Sequence, residues 1–412
     1  MTSETAAAFS LLSAEAVRRR AHMLLALGID GRLPHFRVDL GRLEKVADRV
    51  IAVTKAAYPS LDVPFHSRWR HFVHKGKDGL GDDRFAALAK NADAAAQARA
   101  EFDLAIVSVF LDAGAGAAWR YTDPKTGELI GRSEGLALAS LDMFAAGAFS
   151  ADAKDPLRVD ASKLAQLTAE DLARGFKVSE INPLVGLDGR AALLRRLGEL
   201  AVSKPDVFAR ADSARPGGLF DHLTAQHGKA LTAPDILAAL LRELGPIWPS
   251  RLSLGGVPLG DCWRHRMLVT ADATNGLVPL HKLSQWLSYS LIEPLQRAGI
   301  TVTNIDGLTG LAEYRNGGLF VDAGVLDLHE PLRILDAHDV SSELVVEWRS
   351  LTVALLDKLA DVIRARLGMT AETLPLARIL EGGTWAAGRA IARDKREAGA
   401  PPITVISDGT VF

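Results

Sequence analysis

The feature that most constrains the fold is a long apolar stripe with helical spacing in the last quarter of the chain. Between residues 342 and 368, large apolar side chains recur every three or four positions, at Leu344, Trp348, Leu351, Leu355, Leu359 and Val362. That spacing places them on one face of an α-helix. Ser341 or Ser342 can cap this helix, Glu343 suits the dipole of its first turn, and Gly368 can end it.

The same periodicity predicts helices along most of the chain. Ser13 can cap a helix that Gly28 ends, and another helix begins near Ser133. Further helical patterns cover residues 40–57, 84–112, 280–294 and 373–397. Residues 403–406 form a strand candidate near the end of the chain, and nothing alternates strands with helices as a parallel sheet requires. We therefore predict a mainly α, compact multi-helix fold with few short strands.

The length and charge of the chain limit its organisation and its partners. A chain of 412 residues has room for two or three lobes. We place an approximate boundary between an N-terminal helical region, 1–250, and a C-terminal helical region, 251–412, within one integrated unit. A formal net charge of −2 gives no general attraction to nucleic acid or anionic lipid, so we expect neither partner. The oligomeric state stays open.

Cysteine and histidine usage argue against disulfides and metal. Cys262 is the only cysteine, so neither an intrachain disulfide nor a cysteine-based metal site can form. His66 and His71 are not spaced as a helical metal pair. The N-terminus does not follow the order of a signal peptide, and the longest apolar run, 104–111, is too short to span a membrane. We expect a cytoplasmic protein without metal or organic cofactor.

Residues 280–326 combine a helix with a polar turn. The helix carries an apolar stripe at Leu280, Leu283, Leu287 and Leu291. Lys282, Trp286 and Tyr289 fall on a neighbouring face, where a cation, an indole and a phenol can line one wall. His281 directly precedes them and is counted with them as a candidate substrate-binding residue. Pro294 stops or kinks the helix.

The turn that follows gathers polar side chains among glycines. Residues 306–318 contain Asp306, Glu313, Tyr314, Arg315 and Asn316. Such a density of polar groups on a turn-prone backbone indicates a site more than a core. The alternative is that Glu313 and Arg315 form a structural ion pair and that Tyr314 is buried.

Residues 64–72 offer a second cluster of cations and rings. Arg68 lies beside His66, Trp69 and His71. Arginine suits a phosphate or carboxylate because its guanidinium offers two parallel donors. The alternative is a loop whose charges extend over apolar surface. Asp112, ahead of a glycine-rich turn, fits a helix-terminal acid better than a site residue.

Several of these segments resemble the uracil-catabolism family, named after the fourth protein of the uracil-breakdown set. The matching segments lie at 65–72, 132–136, 182–184, 281–287, 313–318 and 407–412. A fainter similarity reaches the queuosine-salvage proteins, which are helical N-glycosidases that release a base from a nucleoside 5′-phosphate. Their lysine-containing helix and carboxylate-Tyr-Arg motif correspond to Lys282 and to Glu313-Tyr314-Arg315, about thirty residues later. Glutamate here replaces their aspartate.

The resemblance implies hydrolysis of the N-glycosidic bond in a ribosylurea or ribosylurea 5′-phosphate, with release of urea. Glu313, with Asp306 in reserve, would stabilise the oxocarbenium-like charge and activate water. His66, Tyr314 or Asn316 would assist the leaving urea.

The remaining expected contacts hold the sugar phosphate. Lys282 and Arg315, with Arg68, would bind the phosphate, and Trp69 or Trp286 would flank the ribose. The partner implied is thus a small phosphorylated ribosyl substrate. Two alternatives remain, a hydrolase or lyase that opens the ureido group directly, and a non-catalytic nucleotide-binding subunit.

Overall fold

Helices form most of the structure. The fold is taken from a computed structural model, in which residues 2–75, 81–83, 93–112, 114–116, 118–210, 213–248 and 251–406 are described. The helices within these residues, in chain order, are α1 (Ser3–Leu11), α2 (Ala14–Ile29), α3 (Leu43–Ala57), α4 (Trp69–Phe72), α5 (Ala94–Phe110), α6 (Arg132–Ala145), α7 (Ala161–Ala165), α8 (Ala169–Gly175), α9 (Leu187–Ser203), α10 (Pro205–Phe208), α11 (Gly218–His227), α12 (Ala233–Glu243), α13 (Lys282–Arg297), α14 (Tyr314–Asp322), α15 (Glu343–Leu367), α16 (Leu376–Ile379) and α17 (Trp385–Lys395). The predicted mainly α fold is confirmed.

The strands are short and pair two by two within the described residues. They are β1 (Phe36–Val38), β2 (Val73–Lys75), β3 (Gly81–Asp83), β4 (Tyr121–Thr122), β5 (Leu129–Ile130), β6 (Ala230–Thr232), β7 (Ser253–Leu254), β8 (Val257–Pro258), β9 (Cys262–Arg264), β10 (Leu277–Pro279), β11 (Thr301–Thr303), β12 (Leu326–Leu328), β13 (Ala337–Asp339) and β14 (Thr404–Ile406). The β6–β11 and β13–β14 pairs are parallel and the others antiparallel. The strand predicted at 403–406 is confirmed as β14.

The predicted long helix is α15, and its stripe is buried. Trp348, Leu351 and Leu355 are at most 1% exposed, as part of the main hydrophobic core. Gly368 ends the helix with φ +64°, a conformation that glycine adopts without the strain of a Cβ. Ser342 occupies the N-cap position, but its hydroxyl makes no capping hydrogen bond there.

Helix α2 begins as predicted and ends later. The Ser13 hydroxyl accepts a hydrogen bond from the Ala16 N–H, as an N-cap does. Gly28 lies inside the helix rather than past its end, so its predicted role as terminator is wrong. A Cβ at Gly28 would come within 2.7 Å of the Val38 side chain. Close packing therefore explains this glycine.

Pro294 neither stops nor ends α13, which continues to Arg297. A proline has no N–H, so it leaves the carbonyl four residues earlier without its helical donor. That carbonyl, on Ser290, accepts a hydrogen bond of 2.7 Å from the Trp69 indole N–H. A side chain from α4 thus satisfies the carbonyl, so the predicted alternative of a stop is wrong, while the alternative of a kink stays a prediction.

The helix predicted over 373–397 is three consecutive segments. Between α16 and α17 lies one π-helical segment, Leu380–Thr384, which contains Glu381. Such bulges change the angular position of side chains and occur often at functional sites.

The helix predicted over 84–112 is seen as α5 from Ala94 onward. Residues 84–92, and the resembling segment 407–412, lie outside the described residues.

One core connects the two predicted regions. Helix α2 packs on α15, α5 on α13, and α14 on α17, and their apolar side chains belong to one buried cluster. The boundary near residue 250 stays a prediction. In the described part of the chain, no helix is long and apolar enough to cross a membrane, and no three His, Cys, Asp or Glu side chains are grouped to hold a metal ion.

Candidate functional site

Three helices begin at the wall of one pocket with about 320 Å³ of open space. Residues from the starts of α6, α13 and α14 line it. A helix N-terminus carries partial positive charge, and here it is met by a carboxylate at α13 (Asp261) and at α14 (Glu313), while the first N–H groups of α6 have no acceptor among the described residues. The start of α6 therefore favours an anionic ligand. Six of the predicted site residues line the pocket, namely His66, Lys282, Trp286, Glu313, Tyr314 and Arg315.

Glu313 forms the N-cap of α14. Its two carboxylate oxygens accept hydrogen bonds from the backbone N–H groups of Arg315, at 2.7 Å, and Asn316, at 2.5 Å. The side chain lines the pocket, although the residue is only 8% exposed. Burial raises the pKa of Glu313, against the opposing effect of these N–H groups and of Lys282. A carboxylate has about four acceptor positions, so two bonds leave it able to accept more.

Lys282 is the first residue of α13, and a hydrogen bond to a buried carboxylate fixes its backbone. Its N–H donates to Asp261 at 2.9 Å, and Asp261 forms a buried bidentate pair with Arg349, both bonds 2.8 Å. Arg349 also donates to the carbonyl of Ala312, next to Glu313, at 3.3 Å. The Asp261–Arg349 pair therefore ties together the starts of α13 and α14.

The Lys282 ammonium makes no hydrogen bond or ion pair with any described residue. Burial lowers the pKa of Lys282, while the nearby charges of Glu313 and Asp112 oppose that effect. A half-buried cation beside two carboxylates is placed to contact a polar ligand.

His66 and Glu381 form a histidine–carboxylate pair at the pocket. The Nδ1 atom of His66 lies 2.7 Å from Oε2 of Glu381, and the imidazole stacks on Trp286 with ring centroids 6.2 Å apart. Burial alone would raise the pKa of Glu381, but the hydrogen bond and charge of His66 outweigh it and lower that pKa. With Nδ1 bonded to Glu381, the Nε2 atom of His66 is the one left for a ligand.

In addition to Lys282, three arginines line the same pocket, namely Arg132, Arg315 and Arg389. Arg315 is buried and its guanidinium lies over the Tyr314 ring, 4.8 Å from the centroid. Arg389 pairs with Glu134 at 3.1 Å. Burial and the neighbouring charge of Arg315 lower the pKa of Arg132.

Arg68 does not reach the pocket, which corrects its predicted role as a phosphate ligand. Its guanidinium is fully buried and donates to Asp112 at 2.6 Å and to the Ser108 hydroxyl at 2.7 Å. It also lies 5.5 Å from the centroid of the Trp286 ring. Arg68 thus contacts Trp286 and Asp112 on the side that faces away from the pocket opening. Asp112 and Trp286 themselves line the pocket.

Four other predicted residues also lie away from the pocket lining. The Asp306 carboxylate pairs with Arg364 and accepts from the Leu376 N–H. The His281 ring bonds the Leu11 carbonyl, and the Asn316 amide bonds the Thr384 hydroxyl and the Leu311 carbonyl. Trp69 bonds the Ser290 carbonyl. Each of these four side chains is satisfied inside the fold, so the structure does not bring them together with Glu313 and Lys282 at the pocket.

Several pocket residues were missed in the sequence. Arg132 and Glu134 lie in a segment that resembles the uracil-catabolism family, so a signal existed for them. Asp112 was interpreted as a helix-terminal acid, yet it faces the pocket. Arg389 of the pocket, and Glu381, which contacts the pocket residue His66, lie in a region where the sequence shows only helical periodicity.

Comparisons with known proteins cover the whole chain. The family model described as "Protein of unknown function (DUF1688)" matches residues 10–412. "Protein urg3" of Schizosaccharomyces pombe is 41% identical over 418 residues, covering 100% of both chains. "Uracil catabolism protein 4" of Lachancea kluyveri is 38% identical, covering 93% of both chains. The family resemblance predicted from the motifs is confirmed; the similarity to queuosine-salvage proteins stays a prediction.

Proposed function

Since the chain belongs to the DUF1688 family, we propose that it acts in uracil catabolism, as the name of one relative says of that relative. The reaction we propose is hydrolysis of the N-glycosidic bond of a ribosylurea, with or without a 5′-phosphate, to urea and ribose or ribose 5-phosphate. The observation that carries this proposal is the buried Glu313 carboxylate, which shares one pocket with Lys282 and the His66–Glu381 pair.

The carboxylate suits the charge that develops in this reaction. As the bond between C1′ and the urea nitrogen breaks, positive charge builds on C1′ and on the ring oxygen. Glu313 is held rigidly by two backbone N–H groups, so it can stabilise that charge without reorganising. It also takes a proton from the water whose oxygen bonds to C1′. Its raised pKa makes it a better base than an ordinary carboxylate.

The leaving nitrogen needs a proton, and His66 is placed to donate it. Glu381 holds Nδ1 of the imidazole, which leaves Nε2 to donate to the urea nitrogen as the bond to C1′ breaks. Lys282 lies beside Glu313 and keeps that carboxylate ionised when substrate excludes water. The indole of Trp286 forms an apolar wall next to His66.

The reaction is tested by supplying ribosylurea 5′-phosphate and ribosylurea to the purified full-length protein. We expect stoichiometric urea and ribose 5-phosphate or ribose, measured by a urease-coupled assay and by sugar chromatography. The variant His66→Gln should lower kcat by about a hundredfold or more, which is the usual contribution of a general acid. The variant His329→Gln replaces an exposed histidine outside the pocket and should leave kcat unchanged.

The products separate this proposal from its rivals. Ammonia and carbon dioxide without free urea would show that the ureido group is opened directly. Tight binding of both compounds without turnover would instead indicate a non-catalytic binding protein. Either result contradicts N-glycosidic hydrolysis.

A further inference from the structure

We propose that the pocket takes a phosphate monoester of a sugar, and that Arg132, Arg315 and Arg389 bind its phosphate where α6 begins. The inference rests on the proposed function for the identity of the sugar, but it commits to the phosphorylated form. It keeps Arg315 as a phosphate ligand and puts Arg132 and Arg389 in place of Lys282 and Arg68. We call the part of the pocket at Arg132, Arg315 and Arg389 the phosphate end, and the part at Glu313, His66 and Lys282 the reacting end.

Two of the guanidinium groups are held side by side by adjacent carbonyls. Arg132 donates through Nη2 to the Ala398 carbonyl at 3.1 Å, and Arg315 donates through Nη1 to the Gly399 carbonyl at 2.8 Å. Like charges in this arrangement repel each other, and the pKa of Arg132 is lowered by burial and then by Arg315. An anion between them would remove the repulsion.

Donors at this end of the pocket are unused. The Nε atoms of Arg315 and Arg389 are buried and have no hydrogen-bond partner among the described residues, and Arg315 as a whole is 3% exposed. Buried polar groups normally find partners, so such orphans call for an explanation. A phosphate oxygen is the acceptor that a guanidinium fits best.

The first turn of α6 adds backbone donors. Gly131 gives no side-chain cap to this 14-residue helix. The N–H groups of residues 132–134 have no acceptor within the described part of the chain. Arg132 also holds a left-handed backbone conformation, φ +58°, which is strained for a residue with a Cβ. Unused N–H groups at a helix start bind phosphate in many proteins.

The local charge matches a phosphate monoester. Three guanidinium groups and the Glu134 carboxylate, which pairs with Arg389, leave a net charge of two positive. A phosphate monoester near neutral pH carries about −1.5 to −2.

The charged neighbours of Lys282 differ from those of Arg132, and Tyr314 interacts with both sets, through Glu313 and Arg132. Arg132 interacts electrostatically with Arg315, Arg389 and Glu134. Lys282 interacts instead with Glu313 and Asp112. Lys282 is therefore assigned to the reacting bond beside Glu313 rather than to the phosphate.

Binding measurements on the full chain test the assignment. By isothermal titration calorimetry, ribose 5-phosphate should bind the wild-type protein at least about a hundredfold more tightly than ribose. It should also bind more tightly than inorganic phosphate. The variant Arg389→Gln should weaken ribose 5-phosphate at least about tenfold and leave ribose unchanged. The control Arg393→Gln removes the same charge from an exposed position on the same helix and should have no effect.

Several results would overturn the inference. Equal affinity for ribose and ribose 5-phosphate would refute the phosphate site without needing any variant. Inorganic phosphate binding as tightly as ribose 5-phosphate would refute a sugar ligand. Hydrolysis of unphosphorylated ribosylurea as fast as of its 5′-phosphate would refute this inference while supporting the proposed reaction. Selective binding of ribose 5-phosphate without hydrolysis would support the phosphate site and refute the reaction.

Discussion

Replacing Glu313 by glutamine separates its two roles, as a helix cap and as the proposed reacting carboxylate. Glutamine keeps one acceptor oxygen but turns an NH₂ group toward the second backbone N–H, so one of the two capping bonds is lost. Loss of an N-cap costs about 0.5–2 kcal/mol. Because burial raises the pKa of Glu313, the ionised carboxylate is itself unfavourable in the fold. Removing its charge offsets part of that cost, so we expect a loss of at most about 2 kcal/mol.

That magnitude decides how a loss of activity is interpreted. Domains are stable by about 5–15 kcal/mol, so even a weakly stable variant would remain roughly 99% folded. Unfolding therefore cannot lower activity a hundredfold. If Glu313 activates water, kcat for urea release should fall by about a hundredfold or more, and guanidinium chloride unfolding should show only the small stability change.

Two variants sharpen the test. Asp93 caps α5 outside the pocket, with one carboxylate oxygen that accepts from the N–H groups of both Ala95 and Ala96, at 3.0 and 2.9 Å. Because asparagine would keep that oxygen, the control is Asp93→Ala, which should lose about 0.5–2 kcal/mol of stability and no activity. Glu313→Asp keeps the charge and a good cap, and should lose less activity than the glutamine variant. Full activity in Glu313→Gln would refute the assignment.

Three further changes test the surroundings of the pocket. Arg349→Met leaves Asp261 buried without its partner and should cost about 3–5 kcal/mol in guanidinium chloride unfolding; adding Asp261→Asn should recover part of that loss, and no recovery would contradict the buried pairing. Burial lowers the pKa of His71 from 6.5 to about 4, so between these pH values the unfolded chain holds a proton that the folded chain lacks, and stability should fall as pH drops through this window. His71→Gln should reduce the difference in unfolding free energy between pH 5 and pH 7. An unchanged difference would refute the assignment of this pH dependence to His71. Glu381→Gln removes the carboxylate that lies 2.7 Å from Nδ1 of His66 and should lower kcat for urea release, because the imidazole loses the partner that orients it; an unchanged kcat would exclude the pair from the reaction.

Helix patterns in the sequence predicted most of the fold because they depend on neighbours three or four residues apart. Ser13, Gly368 and the stripe of α15 behaved as local rules require. The misjudged positions depend on distant partners. The helix continues through Pro294 because Trp69 donates to the freed carbonyl, and Gly28 is required because Val38 packs against it. Neither contact can be recognised from the neighbouring residues in the sequence.

The same distinction separates the site residues. Lys282, Glu313 and Arg315, which the structure brings together at one pocket, were selected because polar side chains concentrate on the helix and the glycine-rich turn of residues 280–326. Arg68 was misassigned because a sequence does not show whether a guanidinium faces a ligand or an internal carboxylate, here Asp112. Arg389, in α17, could be recognised only once the fold placed it beside the pocket.

The pocket wall takes residues from His66 to Val405, nearly the whole length of the chain. Contacts between such distant segments require closing long loops, so they form late in folding. A ligand that needs all of them binds the native state but neither the unfolded chain nor an early folding transition state. Ribose 5-phosphate at a hundred times its Kd should then stabilise the protein by about 2.7 kcal/mol. That stabilisation should come from slower unfolding, with the folding rate unchanged.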